Sequence, residues 1–405
     1  MEPALVVIGL SHRTATIEVR ERFWMSPERQ REALSVLRNG EGINEAFVFS
    51  TCNRTEFVVW GDPTLAENSI LRFLASRYDL RLCEWKNFYR LLDDQALAHA
   101  FRVSCGLDSM HLGEGQIGRE VNAAWQQARS LGCTGPFLDT VLKKALAVRR
   151  QLRRQTSKAL YSGSAPQVAV DLAGTIFGSL GNRTVVILGA GAMGSAAAQA
   201  LCRQGVHSLT VAGPTDARAQ ELSRKLGTQS VPFSDRYRTL AAADFILSAT
   251  SAPGYVITGD ELPRAVGDSS GRKRVIVDLA LPRDVDPRVR QLQGTLLYDL
   301  DDLERYARTR EAVIEPQEAE GIVLAAVQDF PRERKAADRE LELSVLHQRL
   351  DEICRQELES FRQEKGPFPQ DQDQLLASVS ARITHRIAGS LRGKDLRLPA
   401  PLSRS

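Results

Sequence analysis

No apolar run in this sequence approaches the ~18 residues that a membrane-spanning helix needs, so a helical membrane protein is excluded. The apolar stretch near the N-terminus, Ala4 to Leu10, is short and is followed at once by His12 and Arg13. It has neither the basic lead nor the small-residue cleavage site of a signal peptide, and it reads as a first β-strand. Cysteine is sparse. The six residues, at 52, 83, 105, 133, 202 and 354, form no CxxC pair and have no histidine cluster beside them. That spacing argues against zinc, so no metal is expected, and against a secreted disulfide framework. The expected home is reducing cytosol, hence a cytoplasmic protein. Excess charge of one sign is also lacking: the net charge of +3 is too small to imply a nucleic-acid partner by itself. Internal repeats and long low-complexity tracts are absent as well.

What is present is the composition of an ordinary globular protein, 43% apolar and 25% charged. Its 405 residues suit two or three domains. Three regimes follow one another, predicting an α/β multidomain chain divided at 1–155, 156–308 and 309–405. The first mixes strands (ALVVIGL, EAFVFST, EFVVW) with amphipathic helices, as in an α+β domain. In the second, apolar strands (TVVILGAG, SLTVAG, DFILSAT, RVIVDLA) alternate with helices (MGSAAAQALCRQG, DARAQELSRKLG), which predicts a parallel sheet covered on both faces. In the third, strands disappear. Leu346, Leu350, Ile353 and Phe361, then Leu376, Val379, Ile383, Ile387 and Leu391, recur at helical spacing. Pro331 and the GPFP stretch at Gly366 to Pro369 are expected to interrupt these helices. Their apolar stripes have no globular core of their own, and pairing with a second copy would bury them.

GAGAMG, Gly189 to Gly194, stands between a strand and a helix, the setting in which GxGxxG is informative. Gly189 permits the tight turn, Gly191 lets a pyrophosphate approach the backbone, and Gly194 lets helix and strand pack closely. Gly189, Ala190, Gly191, Ala192, Met193 and Gly194 are therefore the candidate dinucleotide cradle; the bland reading is a glycine-rich turn in a cofactor-free sheet. The acidic residue expected ~20 positions further on for a free ribose 2′-hydroxyl is missing from Ala212-Gly213-Pro214-Thr215. That leans towards NADP, although Asp216 and Arg218 lie close by. STCNRTE, Ser50 to Glu56, puts Cys52 at a strand's end beside Asn53, Arg54 and Thr55. This suits a partly exposed thiol beside a cation that lowers its pKa, with an incidental thiol the commoner case. The other five cysteines read as small apolar residues. Lys143, Lys144, Arg149, Arg150, Arg153, Arg154 and Lys158 crowd one segment, with Lys143, Arg150 and Arg154 on one helical face. They could neutralise phosphates or decorate a solvated linker helix equally well.

STCNRTE together with GLDSMHLGEGQI, Gly106 to Ile117, resembles the catalytic domain of glutamyl-tRNA reductases. GLSHRTATIEVRER, GAGAMG and DLALPRDVDP (Asp278 to Pro287) extend the resemblance in order from about residue 5 to 300. It implies that Cys52 is a nucleophile and His99 a residue needed for activity, where the residues alone would make His99 a satisfied histidine on the helix QALAHAFRV. It implies that Thr51, Asn53, Arg54, Ser109, Glu114, Gly115, Gln116 and Glu120 bind the glutamyl moiety. It further implies an NADPH cofactor, a glutamyl-tRNA substrate and a homodimer joined through C-terminal helices. Channelling of the aldehyde to glutamate-1-semialdehyde aminomutase belongs to the same expectation, with no role for a membrane. The sequence departs from the family's pattern in places. Glu120 replaces a glutamine, Gly115 stands where proline is usual, and Gly213-Pro214-Thr215 replaces Asn-Arg-Thr. The closing HRIAGSLRGKDLR also lacks the usual Asn-Lys-Leu-Leu-His-like run.

The chemistry implied is a thioester route. A Cys52 thiolate attacks glutamate esterified to the tRNA 3′ end, the ribose hydroxyl leaves, and a thioester remains. A thioester accepts hydride from a nicotinamide, as an unactivated carboxylate does not. Arg54 suits a bidentate grip on the substrate carboxylate, and His99 a proton for the departing ribose oxygen. Two other readings account for part of the sequence. A shikimate-type dehydrogenase would use the nucleotide domain but leave STCNRTE idle. A non-catalytic relative would explain Glu120 and the altered second strand.

Overall fold

A computed structural model describes residues 2–109, 117–155, 164–267, 272–308, 317–365 and 378. Residues 1–327 form one compact unit and the remainder a second. The first unit holds two sheets. In the N-terminal one, β1 (Ala4–Ser11), β2 (Ile43–Ser50), β3 (Arg54–Gly61) and β4 (Tyr89–Leu92) lie in the order β2-β3-β1-β4, with every neighbour antiparallel. β1 is buried along its whole length, as its unbroken apolar run requires. Gly9 of β1 faces Glu56 of β3, and a Cβ there would come within 2.7 Å of the Glu56 side chain. The glycine thus leaves room for a buried carboxylate.

Helices close over this sheet. Pro136–Gln155 starts where it does because the Glu45 carboxylate accepts the orphan N–H groups of Gly135, Phe137 and Leu138. Its apolar face packs against Asp93–Cys105, which stops at Gly106 in the left-handed conformation (φ 76°).

The second sheet contains β5 (Thr184–Leu188), β6 (Ser208–Ala212), β7 (Gln229–Ser230), β8 (Phe245–Ser248), β9 (Arg274–Asp278) and β10 (Thr295–Tyr298). All pairs are parallel, in the order β10-β9-β8-β5-β6-β7. Counted from β5, this is the doubly wound 3-2-1-4-5-6 arrangement, read from the opposite edge. Val185 and Ile187 enter one core layer while Val186 and Leu188 enter the other, so the sheet is apolar on both faces. Strand order reverses between β5 and β8, and the crevice beyond their carboxyl ends is where such folds take ligands.

Beyond the sheets the described residues are helical, as expected, with one correction. Pro331 does not end a helix: Gln317–Lys365 runs through it. A proline removes one backbone hydrogen bond and crowds the preceding turn, which bends a helix as readily as it breaks one. The boundary between the two compact units, after Val327, falls one turn before it. Further along this helix Val345, Ile353 and Phe361 are exposed, whereas Leu346 and Leu350 are half-buried. Gly366 to Pro369 and the stripe from Leu376 to Leu391 lie outside the described residues.

Candidate active site

β2 and β3 form a hairpin, and Cys52 is the middle residue of its loop, Thr51-Cys52-Asn53. The Thr51 N–H donates to the Arg54 carbonyl (2.8 Å), and the Asn53 N–H donates to Thr51 Oγ1 (3.2 Å). The loop's carbonyls are held from outside. The His12 N–H donates to Asn53 O (2.9 Å) and Arg20 Nε to Cys52 O (3.3 Å). Cys52 itself is half-buried, and its thiol lies 3.7 Å from Asn53 Oδ1.

This loop forms one wall of a cavity of about 460 Å³. Thr51, Cys52, Asn53 and Glu120 line it from the N-terminal half, while Met193, Ala249 to Ser251 and Leu279 to Leu281 line it from the second sheet. Those last residues follow β5, β8 and β9, so the crevice at the sheet's switch point opens onto the cysteine.

The cradle beyond β5 has the geometry that a dinucleotide needs. Gly189 has φ 107°, a region that favours glycine, and a Cβ on it would fall 2.3 Å from the Ala249 carbonyl oxygen. A Cβ on Gly194 would fall 1.8 Å from the Gly189 oxygen, whereas one on Gly191 meets nothing within 4 Å. Two of the glycines are demanded by packing; the third keeps open the approach to the N-terminus of helix Ala192–Arg203. At the end of β6, Asp216 is occupied: its carboxylate accepts the Phe233 N–H (3.2 Å).

The loops on the other side of the crevice are set by two buried acids of DLALPRDVDP. Asp284 accepts Ser248 Oγ (2.7 Å), Thr250 Oγ1 (2.5 Å) and the Thr250 N–H (2.7 Å). Asp278 accepts the N–H groups of Ala280 (3.0 Å) and Val285 (2.8 Å). Burial pushes both carboxyls above the usual range, and Asp284 adds to the shift of Asp278.

The remaining predicted residues gather beneath the hairpin. The Arg54 guanidinium is fully buried. Its Nη1 donates to Glu56 (2.7 Å) and Asp108 (3.0 Å), and its Nη2 to the Asp108 carbonyl. His99 Nε2 lies 2.8 Å from the same Glu56 oxygen, to which Tyr89 also donates. Burial opposes ionisation of Glu56, but the charges of His99 and Arg54 outweigh it and hold the carboxyl well below its usual range. Arg13 pairs with the far side of Asp108 (2.9 Å). Ser109 is buried beside it. Arg54 and His99 are thus together around Glu56, and neither lines the Cys52 cavity. Glu114, Gly115 and Gln116 lie outside the described residues.

Glu56 is the residue that the sequence reading passed over, although it stands two places from Arg54 in the same motif and therefore on the same strand face. Two further expectations need correction. In the basic segment Arg149 is buried, donating to Ser104 O (3.0 Å), because it lies on the helix face that packs inward; Lys143, Arg150, Arg153 and Arg154 are exposed. Lys158 lies outside the described residues. Of the cysteines read as small apolar residues, Cys105 and Cys133 are buried, and burial pushes the Cys105 thiol up to about 12. Cys202 and Cys354 are half-buried, and Cys83 is exposed.

The chain's likenesses run along most of its length. Residues 8–156 match the family model described as glutamyl-tRNAGlu reductase, N-terminal domain, and residues 171–306 the model of shikimate / quinate 5-dehydrogenase. Glutamyl-tRNA reductase 2 of Koribacter versatilis is 34% identical over 385 residues, 94% of this chain and 88% of that one. The glutamyl-tRNA reductase of Marinobacter nauticus is 36% identical over 86% of this chain and 82% of its own length. Among solved structures, the glutamyl-tRNA reductase from Methanopyrus kandleri aligns with a TM-score of 0.40 at 26% identity, over 98% of this chain and 95% of that one. No helix among the described residues is long and apolar enough to cross a membrane, and no cluster of metal-ligating side chains occurs among them. On the strength of relatives that share a third of its residues over nearly all its length, the chain belongs to the glutamyl-tRNA reductase family.

Proposed function

We infer that this chain is an NADPH-dependent glutamyl-tRNA reductase, which converts glutamyl-tRNA(Glu) to glutamate-1-semialdehyde at the head of tetrapyrrole biosynthesis. The observation that carries this is the cavity in which the Cys52 loop faces the switch point of the nucleotide-binding sheet. A thiol at a hairpin tip and a dinucleotide cradle then address one substrate carbonyl.

Cys52 Sγ attacks the ester carbonyl carbon. The C–O bond to the tRNA ribose breaks, the ribose oxygen takes a proton, and glutamate remains on Cys52 as a thioester. His99, held by Glu56, is the proton source we assign. Thr51, Asn53, Ser109, Glu114, Gly115, Gln116 and Glu120 are assigned to the glutamyl moiety. Arg54 joins them by exchanging its bond to Asp108 for the substrate carboxylate, with Arg13 left to compensate Asp108. Gly189 to Gly194 hold the dinucleotide, which when bound supplies the hydride that reduces the thioester. The C–S bond then breaks, the aldehyde leaves, and Cys52 regains its thiolate.

NADPH rather than NADH is favoured because the carboxylate nearest the end of β6, Asp216, accepts the Phe233 N–H, with Arg218 in the same first turn of the helix for a 2′-phosphate. The exposed Val345, Ile353 and Phe361 support a homodimer through the C-terminal helices. A cytoplasmic location and hand-over of the reactive aldehyde to an aminomutase complete the reading, with division of the chain at 1–155, 156–308 and 309–405. A shikimate-type dehydrogenase would account for residues 171–306 alone and leave the Cys52 loop without work. The test is to incubate the protein with charged glutamyl-tRNA and either NADPH or NADH. Semialdehyde is expected, faster with NADPH; turnover of shikimate with none of glutamyl-tRNA would refute the reading.

A further inference from the structure

The short helix Ile17–Phe23 belongs to the N-terminal half of the first unit, yet its side chains engage the nucleotide-binding half at two points. Arg283 donates from its backbone N–H and from Nε and Nη2 to Glu21 (2.6 to 2.9 Å), and from Nη1 to Glu18 (3.1 Å). The second point is Arg20. Its side chain is only 1% exposed, and it makes three bonds in three directions. Nη1 donates to Ala15 O (3.0 Å), Nη2 to Asp301 (2.7 Å) and Nε to the carbonyl of Cys52 (3.3 Å). Asp301 lies on helix Leu300–Arg308, directly after β10. Ile17 of the same short helix is buried in the core of the nucleotide-binding sheet, and Cys52 packs against that core.

One guanidinium therefore spans from the backbone of the proposed nucleophile to a carboxylate of the cofactor-binding half. A planar, permanently charged fork can hold such divergent acceptors at fixed relative positions, which a flexible ammonium cannot. We propose that Arg20 is a positioning residue that, through Asp301, keeps the Cys52 thioester in register with the nicotinamide and so decides between its two fates. In one fate, hydride and a proton convert the thioester to aldehyde and thiol. In the other, water adds to the same carbonyl and yields free glutamate and thiol. Both regenerate Cys52, and only the first needs the two halves aligned to within the small tolerance that group transfer demands. Acylation of Cys52 involves the N-terminal half alone and does not depend on the tie. The inference rests on the thioester reaction proposed above.

The experiment uses the full-length chain with Asp301→Asn, which removes the charge at a partly exposed position and leaves Arg20 and its other bonds in place. Three quantities are read: NADPH binding by fluorescence titration, deacylation of glutamyl-tRNA without NADPH, and the ratio of semialdehyde to free glutamate at saturating NADPH. Binding and deacylation should stay within twofold of wild type while the product ratio falls at least tenfold. Arg20→Lys, which keeps the charge but not the fork, should fall between the two. An unchanged product ratio in Asp301→Asn overturns the proposal. A parallel loss of all three quantities overturns it too, because it marks Asp301 as a structural residue. Absence of semialdehyde from the wild type would instead strike the reaction assignment itself.

Discussion

Gly191 and Gly194 stand three residues apart in one turn, but the structure makes them fail in different ways. Gly191 has φ −77°, which any residue adopts, and a Cβ there meets nothing within 4 Å. Gly191→Asp should therefore leave the stability of the unliganded protein within about 0.5 kcal/mol of wild type, as for a surface substitution. It does place a carboxylate where a pyrophosphate must sit. For charges ~5 Å apart at an effective dielectric constant of ~20, the repulsion is about 3 kcal/mol, roughly a hundredfold in Kd. Gly194→Ala is the converse. Its new methyl group would lie 1.8 Å from the Gly189 carbonyl oxygen and 2.9 Å from its carbon, and backbone cannot swing aside as a side-chain tip can. The turn must move, at a cost of about 1–3 kcal/mol for overpacking. Thermal melts and NADPH fluorescence titrations on both variants separate the effects. Both should lose the cofactor, and only Gly194→Ala should melt early. Wild-type NADPH affinity in Gly191→Asp would refute the placement of the dinucleotide on this turn.

A second prediction concerns pH. Burial, reinforced by the charge of Arg54, pushes the His12 imidazole down to about 3, so it stays neutral in the fold while the unfolded chain protonates it below about 6.5. The unfolded state binds the extra proton, so stability falls as pH drops through that window, by about 2 kcal/mol between pH 7 and 5 from this site. Denaturant melts of His12→Gln at the two pH values should lack that increment, and equal slopes in variant and wild type would contradict the assignment. A third concerns the exposed arginines of helix Pro136–Gln155. If they meet tRNA phosphates, reversing Arg150 and Arg154 should reduce the slope of log binding against log salt by roughly 0.7–0.9 for each phosphate no longer neutralised. An unchanged slope leaves that helix a solvated face.

Much of this architecture was legible in the sequence because its signals are local. The apolar strands TVVILGAG, SLTVAG, DFILSAT and RVIVDLA became β5, β6, β8 and β9, since a strand buried on both faces has little choice of residue. β4, β7 and β10 were missed: they are short strands at the edges of their sheets, and pairing with neighbours creates them. Cys52 stood out by its polar company, but its position at a hairpin tip required the register of β2 with β3. The contacts of Arg20 with Cys52 and Asp301 could not be read at all. They join residues 32 and 281 positions apart, and an arginine within GLSHRTATIEVRER looks like any surface cation until the fold buries it. Glu56 was within reach, since alternation along β3 alone puts it beside Arg54. Pro331 shows the limit of a local rule, because the helix Gln317–Lys365 runs through it.

The central claim is that Cys52 carries the glutamyl group between the tRNA and the nicotinamide. It is tested most directly by incubating the protein with glutamyl-tRNA in the absence of NADPH, quenching in acid, and mapping the modified peptide by mass spectrometry. The predicted result is a glutamyl group on the peptide containing Cys52, its discharge as semialdehyde when NADPH is added, and neither event in Cys52→Ser, because a neutral hydroxyl is a far weaker nucleophile than a thiolate. Label on another cysteine, the exposed Cys83 for instance, or a Cys52→Ser variant that deacylates and reduces like wild type, would contradict it.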